Sequence, residues 1–193
     1  MLLYQTTLAG MQSKVFFLIV ALNGLGIGEG SKRPFNVELH NISYNTFTDL
    51  VQTINCDFKK LALNRYAVNA MFELSRNMPQ DTDIEILIHY RLPKGIRTVK
   101  FLNLKLRVCD ILTHVPTVPL IKEILNKLAR VSNLPFSCPI HGNKMYNVTN
   151  LIVTEALFPI YAPIVNFNFT LNFFEQQTKF AFFQVEGSTL RKT

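Results

Sequence analysis

Residues 165–173 read Val165-Asn-Phe-Asn-Phe-Thr-Leu-Asn-Phe173, with apolar residues at every odd position and polar ones at every even position. Successive strand side chains point to opposite faces, so a strict period of two predicts a half-buried strand of an antiparallel sheet. Asn168 falls on the polar face, where a glycan can project. Lys179 to Val185 reads as the hairpin partner, with Phe180, Phe182 and Phe183 in reach of the first strand. The turn between them runs through Glu175-Gln-Gln-Thr178.

Upstream the same rhythm recurs. Leu61 to Leu74 alternates loosely, with Val68, Ala70, Phe72 and Leu74 on one side. Thr82 to Tyr90 sets Ile84, Ile86, Ile88 and Tyr90 against Asp83, Glu85 and His89. Pro93-Lys-Gly95 is a turn signal, and Ile96 to Val108 resumes the alternation through Leu102, Leu104 and Leu106. One segment differs. From Pro119 to Arg130, Leu120, Ile121, Ile124, Leu125 and Leu128 recur at helical spacing opposite Lys122, Glu123, Asn126 and Lys127, and Ser132-Asn133 and Pro135 stop the pattern. Many short strands with one inserted amphipathic helix predict a mostly β protein, an antiparallel β-sandwich. No internal repeat or linker divides the chain, so residues 29–193 are expected to form a single domain.

The chain has 193 residues, 48% hydrophobic and 17% charged, a composition too apolar for intrinsic disorder. Sixteen Phe and six Tyr are present, and no Trp. Phe adds apolar area without a polar atom that needs a partner. Such usage fits an ordinary β core and also fits a Phe-lined cavity.

Lys14 is the one charged residue among the first 28, and Val15-Phe-Phe-Leu-Ile-Val-Ala-Leu22 follows it. A positive charge, a short apolar run and then small residues is the order of a secretory signal peptide. The run is shorter than the about 20 residues a spanning helix needs. Residues 1–28 are therefore expected to be a signal peptide cleaved after Gly26 or Gly28, with Met1 and Met11 both open as the start. The expected product is secreted and extracellular, with no transmembrane segment after signal removal. Sequons at Asn41-Ile-Ser43, Asn147-Val-Thr149 and Asn168-Phe-Thr170 agree with export. So does an odd set of cysteines, Cys56, Cys109 and Cys138, which implies one bridge and one thiol that is free or linked to another chain.

The formal net charge is +7, and the basic residues cluster. Arg91, Lys94, Arg97, Lys100, Lys105 and Arg107 occur between Glu85 and Asp110 with no acid among them. On a hairpin they form either a solvated face or a positive patch for anionic headgroups or acidic glycans. Nucleic acid is a poor fit for a secreted chain without a recognised binding motif. Cys138-Pro-Ile-His141 has a metal-like spacing but lacks further ligands, so a structural disulfide is the better reading of Cys138. A Cys109–Cys138 bridge would enclose the whole helix. No nucleophile elbow, zinc-protease helix or phosphate loop occurs, and no catalytic residues, metal site or cofactor are assigned.

Three segments together are similar to a known pattern. Cys56-Asp-Phe-Lys-Lys-Leu-Ala-Leu-Asn64-Arg65 resembles the Cys-x-x-Lys-x-x-x-Asn-Arg opening of a large insect family of secreted proteins of unknown function, with one extra residue. Cys109 and its apolar followers resemble that family's Asp-x-Cys-x-Phe box, with Arg107 where the Asp usually stands. Ser132-Asn133-Leu-Pro-Phe-Ser-Cys138-Pro139 resembles its Ser-Asn-x-x-x-x-Cys-Pro box closely. The family includes the insect chemosensory B proteins and is thought similar to lipid-recognition sandwiches such as the ganglioside activator and the Niemann-Pick sterol carrier. The resemblance implies an immunoglobulin-like sandwich whose sheets part around an apolar ligand, and it brings no catalytic residues. A further family cysteine is missing near Ser43 or Tyr44, which leaves Cys56 as the free thiol.

These readings converge on a secreted, non-enzymatic binding protein for a lipid or other hydrophobic small molecule, in a chemosensory setting. Candidate cavity residues on alternating apolar faces are Phe72, Ile86, Leu104, Phe167, Phe169, Phe173 and Phe182. The alternative is an extracellular protein- or glycan-interaction module with a filled core and a basic hairpin, partnered by a membrane receptor or an anionic surface.

Overall fold

A computed structural model describes residues 33–114 and 119–192; the expected signal segment and its cleavage point lie outside the described residues. The described chain is mostly β. In order it forms β1 (Phe35–Thr46), β2 (Val51–Ala62), β3 (Arg65–Leu74), β4 (Asp83–Arg91), β5 (Val99–Arg107), helix α1 (Val108–Thr113), helix α2 (Pro119–Val131), β6 (Met145–Thr154), a 3-10 turn (Glu155–Leu157), β7 (Asn166–Glu175) and β8 (Thr178–Arg191). Two antiparallel sheets result: a larger one in the order β1-β8-β7-β4-β5 and a smaller one in the order β2-β3-β6.

The period-two segment becomes β7, and the next strand pairs with it through Phe167↔Gly187, Phe169↔Val185 and Leu171↔Phe183. Their turn holds Gln176 and Gln177 at φ 46° and 71°. Two consecutive positive φ values are what a two-residue type I′ hairpin needs to follow the strand twist. The stretch from Leu61 to Leu74 is not one strand. The chain reverses at Leu63-Asn64, with Asn64 at φ 61°. Asn tolerates that region because its short polar side chain bonds locally or across a turn. Here its Oδ1 accepts the Val37 N–H at 2.7 Å and its Nδ2 donates to Glu155. The turn therefore ties the edge strand β1 to the 3-10 segment. Ile96 to Thr98 also stay outside β5, which begins at Val99.

The sheets face one another, because each core cluster draws on both. One cluster joins Phe35, Val37 and Leu39 of β1 to Tyr66 and Val68 of β3. The other joins Leu50, Val51, Leu74, Ile140 and Tyr146 to Phe180 and Ala181 of β8. Within the second, the Tyr146 ring lies 5.3 Å from that of Phe72. The Tyr146 hydroxyl accepts the His141 N–H and donates to the His141 carbonyl, both at 3.0 Å. The loop ahead of β6 is thereby clamped by one buried phenol.

Between β5, an edge of the larger sheet, and β6, an edge of the smaller one, the chain crosses by way of α1 and α2. Val108 and Leu112 of α1 pack on the second cluster. In α2, Ile121 is buried and Lys122, Glu123 and Asn126 are exposed. Cys109 and Cys138 are joined by a disulfide, so the bridge pins both ends of this crossing. Cys56 is a free thiol.

Candidate functional site

The larger sheet is wider than the smaller one, and the excess has consequences on its inward face. Neither core cluster includes a residue of β4 or β5. Yet these strands, with β7, carry an unbroken row of cross-strand apolar partners. Ile84 stands between Leu106 and Phe173, Ile86 between Leu104 and Leu171, Ile88 between Leu102 and Phe169, and Tyr90 between Val99 and Phe167. Directly opposed residues share a face, so these side chains form one apolar shelf. Ile86 is buried at its centre, whereas Ile84, Ile88, Leu102, Leu104, Leu106, Phe169 and Leu171 are only half-buried. Three strands cannot cover five.

Of the seven residues expected to line a cavity, the fold brings five together on this face: Ile86, Leu104, Phe167, Phe169 and Phe173. Phe173 and Phe167 also touch the core, Phe173 against Phe180 at 6.0 Å and Phe167 against Phe158 at 5.3 Å. Phe72 sits on the opposing sheet, on its inward face against Tyr146. Phe182 lies apart. It pairs with Asn172 and Asn45, which places it on the outward face of the larger sheet. There it stacks on Phe47 at 6.1 Å, with Lys179 Nζ 4.8 Å from its ring centre. From sequence its face was ambiguous, because Phe180, Phe182 and Phe183 do not alternate cleanly and a bulge sits beside Phe173 and Phe174.

Cys56 points between the sheets. It pairs with Ala70 on the same face as Ile54 and Phe58, both packed on the core. Burial pushes its thiol from the ordinary 9.0 up to about 11, and the Asp57 carboxylate adds to the shift. A neutral thiol there behaves as a small apolar side chain.

The outward face of the larger sheet holds a polar cleft of about 370 Å³ lined by His40, His89, Arg91, Asn168 and Glu186 among others. His89, Asn168 and Glu186 fall in one cross-strand row, and His40 Nε2 lies 2.9 Å from Ser188 Oγ. This cleft was not legible in the sequence, since it needs the register of β1 and β4 against the β7–β8 hairpin, from which both lie far in the chain. Its signal was present only as the polar side of each strand's alternation. Of the sequon residues, Asn168 is half-buried in this cleft, whereas Asn41 on β1 and Asn147 on β6 are exposed. Among the described residues, no three His, Cys, Asp or Glu side chains converge as metal ligands, and no helix is long and apolar enough to cross a membrane.

Fold and site together define a disulfide-bridged protein of two facing antiparallel sheets with an incompletely covered apolar face. Residues 84–169 match a family described as Protein of unknown function (DUF1091). That span contains β4 but for its first residue, β5, both helices, β6 and both bridged cysteines. No curated protein matches the chain.

Proposed function

We propose that this is a secreted, non-enzymatic binding protein that holds a lipid or other hydrophobic small molecule between the sheets of an immunoglobulin-like sandwich. The observation that carries the reading is the half-buried shelf of β4, β5 and β7. An apolar row of this length, left part-exposed beside a filled core, is stabilised by covering it, and an apolar ligand is a suitable cover. The disulfide supports an oxidising destination, and the sequence signal for export agrees with it. The resemblance to lipid-recognition sandwiches points to the same class of ligand.

Native mass spectrometry of the secreted protein, followed by titration of the delipidated protein with a fluorescent fatty acid, tests the proposal. Leu104→Ala shortens the shelf at its middle and is expected to weaken binding about tenfold. Phe182→Ala, on the other face, is expected to leave the affinity unchanged. A clean apo mass with no uptake of fatty acid or sterol sinks the reading, as does equal weakening by both substitutions.

A further inference from the structure

The tip of the β4–β5 hairpin is built unlike the rest of the surface. Gly95 N–H donates to the Leu92 carbonyl at 2.9 Å and closes the turn. From Arg91 to Phe101 every residue except Gly95 is exposed. Four large apolar side chains stand in this stretch: Leu92 is 56% exposed, Ile96 95%, Val99 44% and Phe101 63%. Arg91, Lys94, Arg97 and Lys100 are interleaved with them. None of these four cations is in an ion pair among the described residues, whereas Lys105, nearer the hairpin base, is paired with Asp83 at 3.1 Å.

We propose that this hairpin tip docks the protein on an anionic lipid bilayer. Three possible partners compete for such a surface, and two fit poorly. A second copy adding its own β5 edge would bring two basic strands together, and like charges across a strand pair are destabilising. An acidic glycan or protein segment satisfies the cations but leaves Ile96, at the extremity of a protruding turn, in water. An anionic bilayer accommodates both sets of side chains. Leu92, Ile96 and Phe101 enter the interfacial layer, and Lys and Arg stems extend along it to phosphates and carboxylates. The inference does not depend on a ligand occupying the apolar shelf.

Vesicle sedimentation tests it, using the full secreted protein and vesicles of phosphatidylcholine with 20% phosphatidylserine or of phosphatidylcholine alone, a composition at which each surface cation contributes about fivefold. Binding is expected to the anionic vesicles and to fall as salt is raised, since surface charge is screened. Arg97→Ala with Lys100→Ala is expected to weaken it about 25-fold, from two such contributions. Ile96→Ser, at a position that touches no core, is expected to weaken it about tenfold without changing the melting temperature. Equal partitioning to both vesicle types overturns the proposal. So does indifference to Ile96→Ser, and salt-sensitive retention on heparin with no vesicle binding assigns the surface to a glycan instead.

Discussion

Tyr146→Phe is the most economical perturbation of the smaller sheet, because it removes one oxygen and keeps the ring. Tyr146 is buried, at 1% exposure, and its hydroxyl makes two bonds to one residue, the His141 N–H and carbonyl, each at 3.0 Å. The stack on Phe72 survives in the variant, so the change isolates the loop clamp. Each net hydrogen bond contributes about 1 kcal/mol, and the loss of two gives about 2 kcal/mol. For a domain of this size that lowers the melting temperature by about 4–8 °C. Circular dichroism melts of both proteins read the shift. Hydrogen exchange reads its location: the His141 amide, which loses its acceptor, exchanges faster, while the amides of β7 and β8 keep their order of protection. A shift below 1 °C with unchanged exchange at His141 would falsify the clamp and mean that water replaces the phenol at no cost.

Two further expectations concern the cysteines. Replacing Cys109 and Cys138 by Ser opens a loop with a sequence separation of 29, and the chain-entropy relation gives a loss of about 3.5 kcal/mol; urea titrations with and without reductant check it, and coincident midpoints would refute it. At Cys56 the folded thiol lies at about 11 and the ordinary value at 9.0, so the folded state favours the neutral form. That contribution is full below pH 9 and is lost as pH rises to about 11; urea midpoints between pH 8 and 11 should fall more steeply for the natural protein than for Cys56→Ala, and parallel curves would contradict a thiol held between the sheets.

Legibility in the sequence followed the regularity of local pattern. β7 alternates without interruption and pairs through a two-residue turn, so both it and its hairpin partner were plain. β4 was nearly as plain, because Ile84, Ile86, Ile88 and Tyr90 alternate with Asp83, Glu85 and His89 and only Leu87 breaks the polar side. β1 and nearly all of β2 lie outside the expected strands. In β2 the bulge at Val51/Thr53 shifts the inward set from Val51 to Ile54, Cys56 and Phe58, which breaks the period of two. β6 was hidden in the same way: Asn150 stands at φ 57°, where β3 and β6 slip in register between Val68 and Ala70. The Leu61–Leu74 stretch reads as one element because Asn64 reverses the chain without Gly or Pro; its alternating part, Arg65–Leu74, is β3. For the site, parity within each strand was enough to put Ile86, Leu104 and Phe169 on the apolar faces of their own strands. Only the inter-strand register, a long-range property, shows that the row extends over three strands and that Phe182 faces away from it.

The pairing of β1 with β8 has a consequence for biosynthesis. The first described strand, Phe35–Thr46, finds its ladder partner in the last, Thr178–Arg191, so β1 has no partner until β8 is made. During elongation the β2–β3 and β4–β5 hairpins have their ladder partners early, while β1 waits without one. Non-local closure of this kind is slow and leaves a sticky edge available to other chains. A nascent chain arrested before β8 thus exposes unpaired strands of the larger sheet to other chains, and synthesis of β8 becomes the event that joins β1 to β7.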